Sequence, residues 1–237
     1  MNNSLQIVCR GKTVVIILFF LSLTVLAACT ETEPPAAEKT ASVPTPKAGV
    51  VVAMGDSLTE GLRVPEEEAY PAVLERKLHE AGHHYQVINA GVSGETSSGA
   101  LSRLEWVLTL DPDIVILETG ANDGFRGIAP ELIRENIRKI IRRFKKNGTI
   151  VILGGMKMVR NLGVQYIDGF DTLYEEVARE EEVILIPFFL EGVAGNPELN
   201  QRDNVHPNAA GYQVVADTVF PYVLEAIGKR AGKAKNK

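Results

Sequence analysis

Five short runs of apolar residues, separated by segments with helical spacing, constrain the fold of this chain more than any other feature. Each run is followed by glycine, proline or a polar residue, which is typical of a strand buried on both faces of a parallel sheet. The runs cover residues 50–54, 85–88, 114–117, 149–153 and 183–186. Strands that alternate with helices predict a parallel sheet with helices on both faces, joined by right-handed crossovers.

The segments between the runs predict amphipathic helices. The clearest spans residues 128–144, where isoleucines form one stripe and arginines and lysines form the opposite, solvated face. Other predicted helices lie near residues 72–78, 101–108, 173–177 and 209–227. We expect residues 49–228 to form one domain and the Lys-rich residues 229–237 to be disordered.

Composition excludes several classes of protein. The chain has 237 residues, with 25 Lys and Arg against 30 Asp and Glu, which gives a net charge of −5. This acidic balance argues against nucleic acid as a partner, because non-specific binding needs a basic footprint. Two cysteines are too few for a disulfide scaffold or a Cys-rich metal site.

Residues 1–28 have the pattern of an export signal. Arg10 and Lys12 precede an apolar stretch of about 16 residues, shorter than the ~20 that cross a bilayer, although a membrane anchor helix is the alternative. The stretch ends in Leu26-Ala27-Ala28-Cys29, which resembles the lipobox of bacterial lipoproteins. That resemblance implies cleavage before Cys29 and a lipid on this residue.

Residues 29–48 are rich in proline, alanine and threonine, which is typical of an extended tether. Cleavage also removes Cys9, so we expect no internal disulfide. We therefore expect an exported protein, lipid-anchored to a bacterial membrane on its periplasmic or cell-surface side.

Small and polar residues follow each of the first three predicted strands. A single group of this kind is typical of an ordinary turn. Three at one edge of a parallel sheet indicate a site, because ligands bind outside the carboxyl ends of the strands. The groups are Gly55-Asp56-Ser57-Leu58, Gly91-Val92-Ser93-Gly94-Glu95 and Gly120-Ala121-Asn122-Asp123.

A fourth group, Asp203-Asn204-Val205-His206-Pro207, precedes the last predicted helix. A nucleophilic serine needs a base to take its proton, and the base needs an orienting acid. An Asp and a His three residues apart in a tight loop suit these two roles.

The four groups together resemble the SGNH, or GDSL, hydrolase family over residues 50–223. The chain is most similar to the bacterial thioesterase I/protease I/lysophospholipase L1 type, which includes arylesterases. The resemblance rests on residues 55–59, 89–96, 120–127, 186–189 and 206–208. It implies a three-layer α/β/α sandwich with a five-stranded parallel sheet of flavodoxin-like arrangement.

The resemblance also implies site residues and chemistry. Ser57 is the implied nucleophile, His206 the general base and Asp203 its orienting acid. The backbone N–H groups of Ser57 and Gly94 and the side-chain amide of Asn122 are the implied oxyanion hole. We expect a monomer without cofactor or metal that hydrolyses a small-molecule acyl ester or thioester.

Three other interpretations remain open at this point. His79-Glu80-Ala81-Gly82-His83 matches the H-E-x-x-H zinc motif, but Gly82 ends the predicted helix before the second His, so we expect exposed histidines. A surface lipoprotein that binds a ligand without chemistry, or a carbohydrate O-acetyl esterase with the same triad, also fits. An apolar acyl group is favoured over a sugar by Phe125, Phe188, Phe189 and Leu190, unless these side chains only pack the core.

Overall fold

A computed structural model describes residues 48–158 and 163–235 of the chain. The predicted signal segment, the predicted lipidation site Cys29 and all of the predicted tether except Ala48 lie outside the described residues.

The five predicted strands form one parallel sheet, which confirms the predicted fold class. The sheet order is β2-β1-β3-β4-β5. All four neighbouring pairs are parallel. The strands are β1 (Gly49–Gly55), β2 (Tyr85–Gly91), β3 (Ile114–Glu118), β4 (Ile150–Gly154) and β5 (Ile184–Ile186). Every residue of β3 and β4 is buried, because these strands lie inside the sheet with helices on both faces.

Helices cover both faces of this sheet. Helices α2 and α8 pack against each other, and α6 contacts both α3 and α7. The helices are α1 (Ser57–Glu60), α2 (Tyr70–Glu80), α3 (Ser97–Ser102), α4 (Leu104–Leu108), α5 (Ala121–Phe125), α6 (Pro130–Lys146), α7 (Val164–Glu181) and α8 (Ala209–Lys235), with a 3₁₀ turn at Glu66–Glu68. Within the described part of the chain, none of them is both long and apolar enough to span a bilayer.

The C-terminal boundary differs from the prediction. The expected disorder of residues 229–237 is wrong as far as Lys235, because α8 continues to that residue. Arg230 explains part of the extension. Its guanidinium lies 2.6 Å from Asp113 and also donates to the carbonyl of Ala48 and the hydroxyl of Tyr85. The end of α8 is thereby fixed beside the amino ends of β1 and β2.

The sheet order places the predicted site. β1 lies between β2 and β3, so the chain leaves it toward one edge of the sheet and leaves β3 toward the other. The crevice outside the carboxyl ends of these two strands is the usual ligand site of such sheets. Ser57 follows β1 there and Asn122 follows β3.

Candidate active site

Ser57 is held at the start of α1 by the residue before it. The Asp56 side chain caps this helix, because its Oδ1 accepts the backbone N–H of Leu58 at 3.0 Å. Gly61 ends the single turn in the left-handed conformation, at φ +87°. Ser57 is the first helical residue, so its own N–H has no partner within the helix. The local fold therefore leaves that N–H available at the end of β1.

The hydroxyl of Ser57 contacts His206, which comes 149 residues later in the chain. Its Oγ lies 2.9 Å from Nε2 of His206. On the other side of the imidazole ring, Nδ1 lies 2.9 Å from Oδ2 of Asp203. The structure thus brings these three predicted site residues together in one continuous line of hydrogen bonds.

Asp203 accepts hydrogen bonds on both carboxylate oxygens. Oδ1 accepts the backbone N–H groups of His206 and Val205, each at 3.0 Å. The pKa of Asp203 lies well below its usual value, chiefly because of the backbone N–H of His206. Asp203 is therefore ionised, and its charge favours the imidazole tautomer with the proton on Nδ1. In that tautomer Nε2 is free to take the proton of Ser57.

Two contacts attach the loop of Asp203 and His206 to the segment after α1. Gln201 donates from Nε2 to the carbonyl of Leu62 at 2.7 Å. Arg63 donates from Nη1 to Oδ2 of Asp203 at 2.9 Å, the same oxygen that faces His206. Sequence reasoning missed Arg63 and Gln201, because neither belongs to a motif and each pairs across about 140 residues.

Asn122 reaches the same crevice from the start of α5. Gly120 before it has φ +107°, and a Cβ there would lie 2.3 Å from the hydroxyl of Tyr174, so only glycine fits this turn. Nδ2 of Asn122 donates to Oδ2 of Asp56 at 2.8 Å. An amide carries two N–H groups, so a second one is left for a ligand.

Gly94 lies in the loop after β2 with φ +75°, where a side chain would be strained. This loop is fixed to α5, because the carbonyl of Gly94 accepts Arg126 Nη2 at 2.8 Å and Asp123 accepts both the N–H and the hydroxyl of Ser97. Gly94 is exposed and is not among the residues that line the cavity at Ser57. The oxyanion role of Gly94 therefore stays a prediction, and Arg126 is a contact that sequence reasoning missed.

Two adjoining cavities open beside Ser57. The first has a volume of about 290 Å³. The second has about 260 Å³ and is mainly apolar. The first is lined by Asp56, Ser57, Leu58, Ala121, Asn122, Phe125, Val205 and His206. The second shares Leu58, Ala121, Phe125 and Val205 with it and adds Met156, Met158, Phe188 and Leu190 among others. Together they form one groove, which we call the acyl groove, leading away from Ser57.

The aromatic residues singled out in the sequence divide between groove and core. Phe125, Phe188 and Leu190 line the acyl groove. Phe189 does not, because it is fully buried and packs edge-on against Tyr70 at a centroid distance of 5.3 Å. For Phe189, the structure therefore supports the alternative of core packing.

Residues 53–214, about two thirds of the chain, match the family model described as the GDSL-like lipase/acylhydrolase family. The chain belongs to this family. It is therefore an enzyme of the ester-hydrolase class.

Similar proteins include two curated bacterial enzymes. Esterase TesA of Pseudomonas aeruginosa is 36% identical over 73% of this chain and 87% of its own. The thioesterase 1/protease 1/lysophospholipase L1 of Escherichia coli K12 is 34% identical over 72% of this chain and 81% of its own. A crystal structure of esterase EstA from Pseudoalteromonas, inhibited by monoethylphosphonate, has a TM-score of 0.72 at 27% identity and covers 76% of this chain and 99% of that one.

The zinc motif of this GDSL-family chain does not lie on one helix. Helix α2 ends at Glu80, so His83 lies beyond it, and Nε2 of His79 is hydrogen-bonded to the carbonyl of Tyr85 at 2.9 Å. His79 and His84 are exposed as expected, whereas His83 is half-buried. Over residues 48–158 and 163–235, no three His, Cys, Asp or Glu side chains cluster as metal ligands.

Proposed function

We propose that this enzyme hydrolyses carboxylic esters and thioesters with apolar acyl groups through a covalent acyl-enzyme on Ser57. The observation that carries the proposal is the 2.9 Å contact between Ser57 Oγ and His206 Nε2, with Asp203 behind the ring. A serine with this arrangement has both a base for its proton and an acid that fixes the base.

The reaction proceeds in two steps. Ser57 Oγ attacks the carbonyl carbon while His206 takes its proton, and His206 then returns that proton to the departing alcohol or thiol. Water then attacks the acyl-serine while His206 takes a proton from it. His206 passes that proton to Ser57 Oγ as the acyl–Oγ bond breaks, and the carboxylic acid is released. In both steps the carbonyl oxygen becomes negatively charged. We assign the stabilisation of this charge to the backbone N–H groups of Ser57 and Gly94 and to the side-chain amide of Asn122.

The acyl groove supports an apolar acyl group rather than an acetyl group on a carbohydrate. Its walls beyond Ser57 are mainly apolar side chains, which offer dispersion contacts, and only Lys157 and Asn204 bring polar side chains for sugar hydroxyls. Phe125 at its mouth is 51% exposed, so it offers apolar surface that a substrate would cover. The names of the relatives agree with esters, thioesters and lysophospholipids as substrates to test.

A fluorophosphonate probe tests the assignment of the nucleophile. The fully folded enzyme is expected to be labelled, and Ser57→Ala is expected to abolish labelling. Ser102→Ala is the matched control, because Ser102 is exposed on α3 and donates only to the carbonyl of Gly99. A folded wild type that takes no label would leave the ligand-binding lipoprotein as the better interpretation.

The substrate class is tested with p-nitrophenyl esters of increasing chain length, an acyl-CoA, a lysophospholipid and an acetylated sugar. We expect activity on the acyl esters to exceed activity on the acetylated sugar. Activity confined to the acetylated sugar would favour the carbohydrate esterase. Hydrolysis that EDTA abolishes would contradict a metal-independent serine mechanism.

We also propose that the chain is exported and anchored by a lipid on Cys29. The proposal rests on the signal-like pattern, the lipobox-like Leu26-Ala27-Ala28-Cys29 and the proline-rich segment after it. Incorporation of radiolabelled palmitate into the full chain in a bacterial host is the test. Cys29→Ala should lose the label, whereas Cys9→Ala should keep it, because Cys9 lies in the part that cleavage removes. Label on the Cys29→Ala variant would contradict the anchor.

A further inference from the structure

Two buried carboxyl groups lie beneath the active site, apart from Asp203. Glu118 ends β3 and is fully buried, and Asp56 follows β1 and is 2% exposed. Oε2 of Glu118 accepts the backbone N–H of Asp56 at 3.1 Å and the hydroxyl of Thr59 at 3.0 Å. Glu118 therefore holds the two residues that flank Ser57 and Leu58 at the start of α1.

Asp56 in turn joins the Ser57 helix to the Asn122 amide. Its Oδ1 caps α1 and its Oδ2 accepts the Asn122 amide. Glu118 thus holds the backbone of Asp56, and the carboxylate of Asp56 holds the amide of Asn122. The orientation of Asn122 depends on that contact, because an amide is turned by the acceptor that it faces.

The surroundings of this pair favour a single negative charge. Tyr174 donates to the carbonyl of Thr119 and Tyr212 to the carbonyl of Ser57. Burial raises the pKa of these two phenols and of Tyr70, so the three tyrosines are neutral, and His206 lies beyond Ser57. Arg103, which reaches the carbonyl of Gly55, is engaged with both oxygens of Glu95. Two adjacent buried carboxyl groups do not both ionise, because each charge repels the other where little water screens it.

Hydrogen-bond donors and acceptors decide which group keeps the proton. Both oxygens of Asp56 act as acceptors, as an ionised carboxylate requires. Oε2 of Glu118 also accepts, but Oε1 is buried and has no hydrogen-bond partner among the described residues. A proton on that oxygen avoids leaving a bare charge in the protein interior.

We propose that Glu118 is a positioning residue that stays protonated in the folded enzyme and, through an ionised Asp56, orients the Asn122 amide. Only the last link, the role of Asn122, rests on the proposed function. Burial, reinforced by the charge of Asp56, raises the pKa of Glu118 well above its ordinary 4.5.

The proposal predicts how stability depends on pH. Above about pH 4.5 the unfolded chain releases the Glu118 proton while the folded enzyme keeps it. The folded state therefore loses stability relative to the unfolded state as the pH rises from 4.5 toward the raised pKa. Glu118→Gln keeps the shape and the acceptor oxygen but has no proton to release, so it escapes this loss.

Urea unfolding of the whole enzyme between pH 5 and pH 8 tests this step without any substrate. The unfolding constant of the wild type should rise relative to that of Glu118→Gln by up to about tenfold per pH unit, so the variant gains stability relative to the wild type between pH 5 and pH 8. Glu181→Gln is the matched control, because Glu181 is also buried but pairs with Arg138 and Arg142. We expect that control to be destabilised. A stability difference between the wild type and Glu118→Gln that does not change between pH 5 and pH 8 would overturn the protonated state.

Activity tests the positioning role. Glu118→Gln is expected to keep kcat on p-nitrophenyl butyrate within about threefold of the wild type. Asp56→Asn places an amide against the Asn122 amide and should lower kcat more than tenfold with little change in KM, because Asn122 acts on the transition state. Equal losses in the two variants, or no loss in Asp56→Asn, would refute the proposal. A wild type that cleaves no ester would refute the proposed function instead, while the unfolding experiment would still decide the protonation of Glu118.

Discussion

Ser57 and His206 lie 149 residues apart in the chain, yet their Oγ and Nε2 atoms are 2.9 Å apart in the fold. Ser57 is the first residue of α1 and His206 lies in the loop before α8, so the contact depends on how the loop at residues 201–207 docks onto the start of α1. Arg63 and Gln201 make that docking contact. The base is therefore held by residues that take no part in the chemistry.

The position of Arg63 predicts a shift of the pH–rate profile. The rate is expected to rise with pH as His206 becomes neutral. Arg63→Gln removes a positive charge beside Oδ2 of Asp203. Without that charge, Asp203 stabilises the protonated imidazole of His206 more strongly. The acidic limb of the pH–rate profile should therefore move to higher pH. Arg63 is 64% exposed, so water and salt weaken the effect, and we expect a shift of about 0.3–0.5 pH unit at low ionic strength.

The control for that experiment is Arg202→Gln, an exposed arginine in the same loop. The acidic limb of the Arg202→Gln pH–rate profile should stay near that of the wild type. Raising the salt concentration should move the wild-type limb toward that of Arg63→Gln. An unmoved limb, or one displaced to lower pH, would show that Arg63 does not act on the base.

The geometry of Asn122 predicts a large loss of rate and a moderate loss of stability. Asn122→Ala removes one donor to the oxyanion, which typically costs about 10²–10³ in kcat. The variant should still fold, because Asn122 is only half-buried. Oδ2 of the buried Asp56 loses its donor, so we expect a loss of about 1–3 kcal/mol in the free energy of unfolding. Steady-state kinetics and urea unfolding check both points, with the exposed Asn147→Ala on the far end of α6 as control. A loss below tenfold would remove Asn122 from the oxyanion hole.

The sequence predicted the strands well because their residues are buried whatever the details of packing. All five apolar runs became strands, and the polar groups after the first three lie at one edge of the sheet. The contacts that fix the site were harder to predict. Glu118 belongs to none of the predicted site groups, and its contacts depend on Asp56, which is 62 residues away.

Neighbouring phenylalanines show a second limit. Phe188 and Phe189 are the same residue type, but Phe188 lines the acyl groove and Phe189 packs against Tyr70. Which of the two faces the core depends on the backbone after β5, which no local pattern encodes. The sequence did not predict the end of α8 for a similar reason, because Asp113, the partner of Arg230, lies 117 residues earlier in the chain.

Arg230 predicts a stability effect at the end of α8. Arg230→Gln breaks the ion pair with Asp113 and weakens the contacts to Ala48 and Tyr85. The pair is partly exposed, so we expect a loss of about 1 kcal/mol in the free energy of unfolding. Lys229→Gln is the control, because its partner Glu225 lies on the same exposed helix face. Equal effects in a urea titration would mean that the tail helix is not anchored by Arg230.

The acyl groove predicts a preference for chain length that a single substitution should remove. In the wild type, kcat/KM on p-nitrophenyl esters should rise by up to about fourfold per added methylene until the groove is filled, because each buried methylene contributes about 0.8 kcal/mol. Ala194 lines only the second of the two cavities, away from Ser57. Ala194→Trp should therefore lower kcat/KM on the octanoyl ester at least tenfold while leaving the acetyl ester nearly unchanged. A uniform loss across the series, or no loss at all, would place the acyl chain outside this groove.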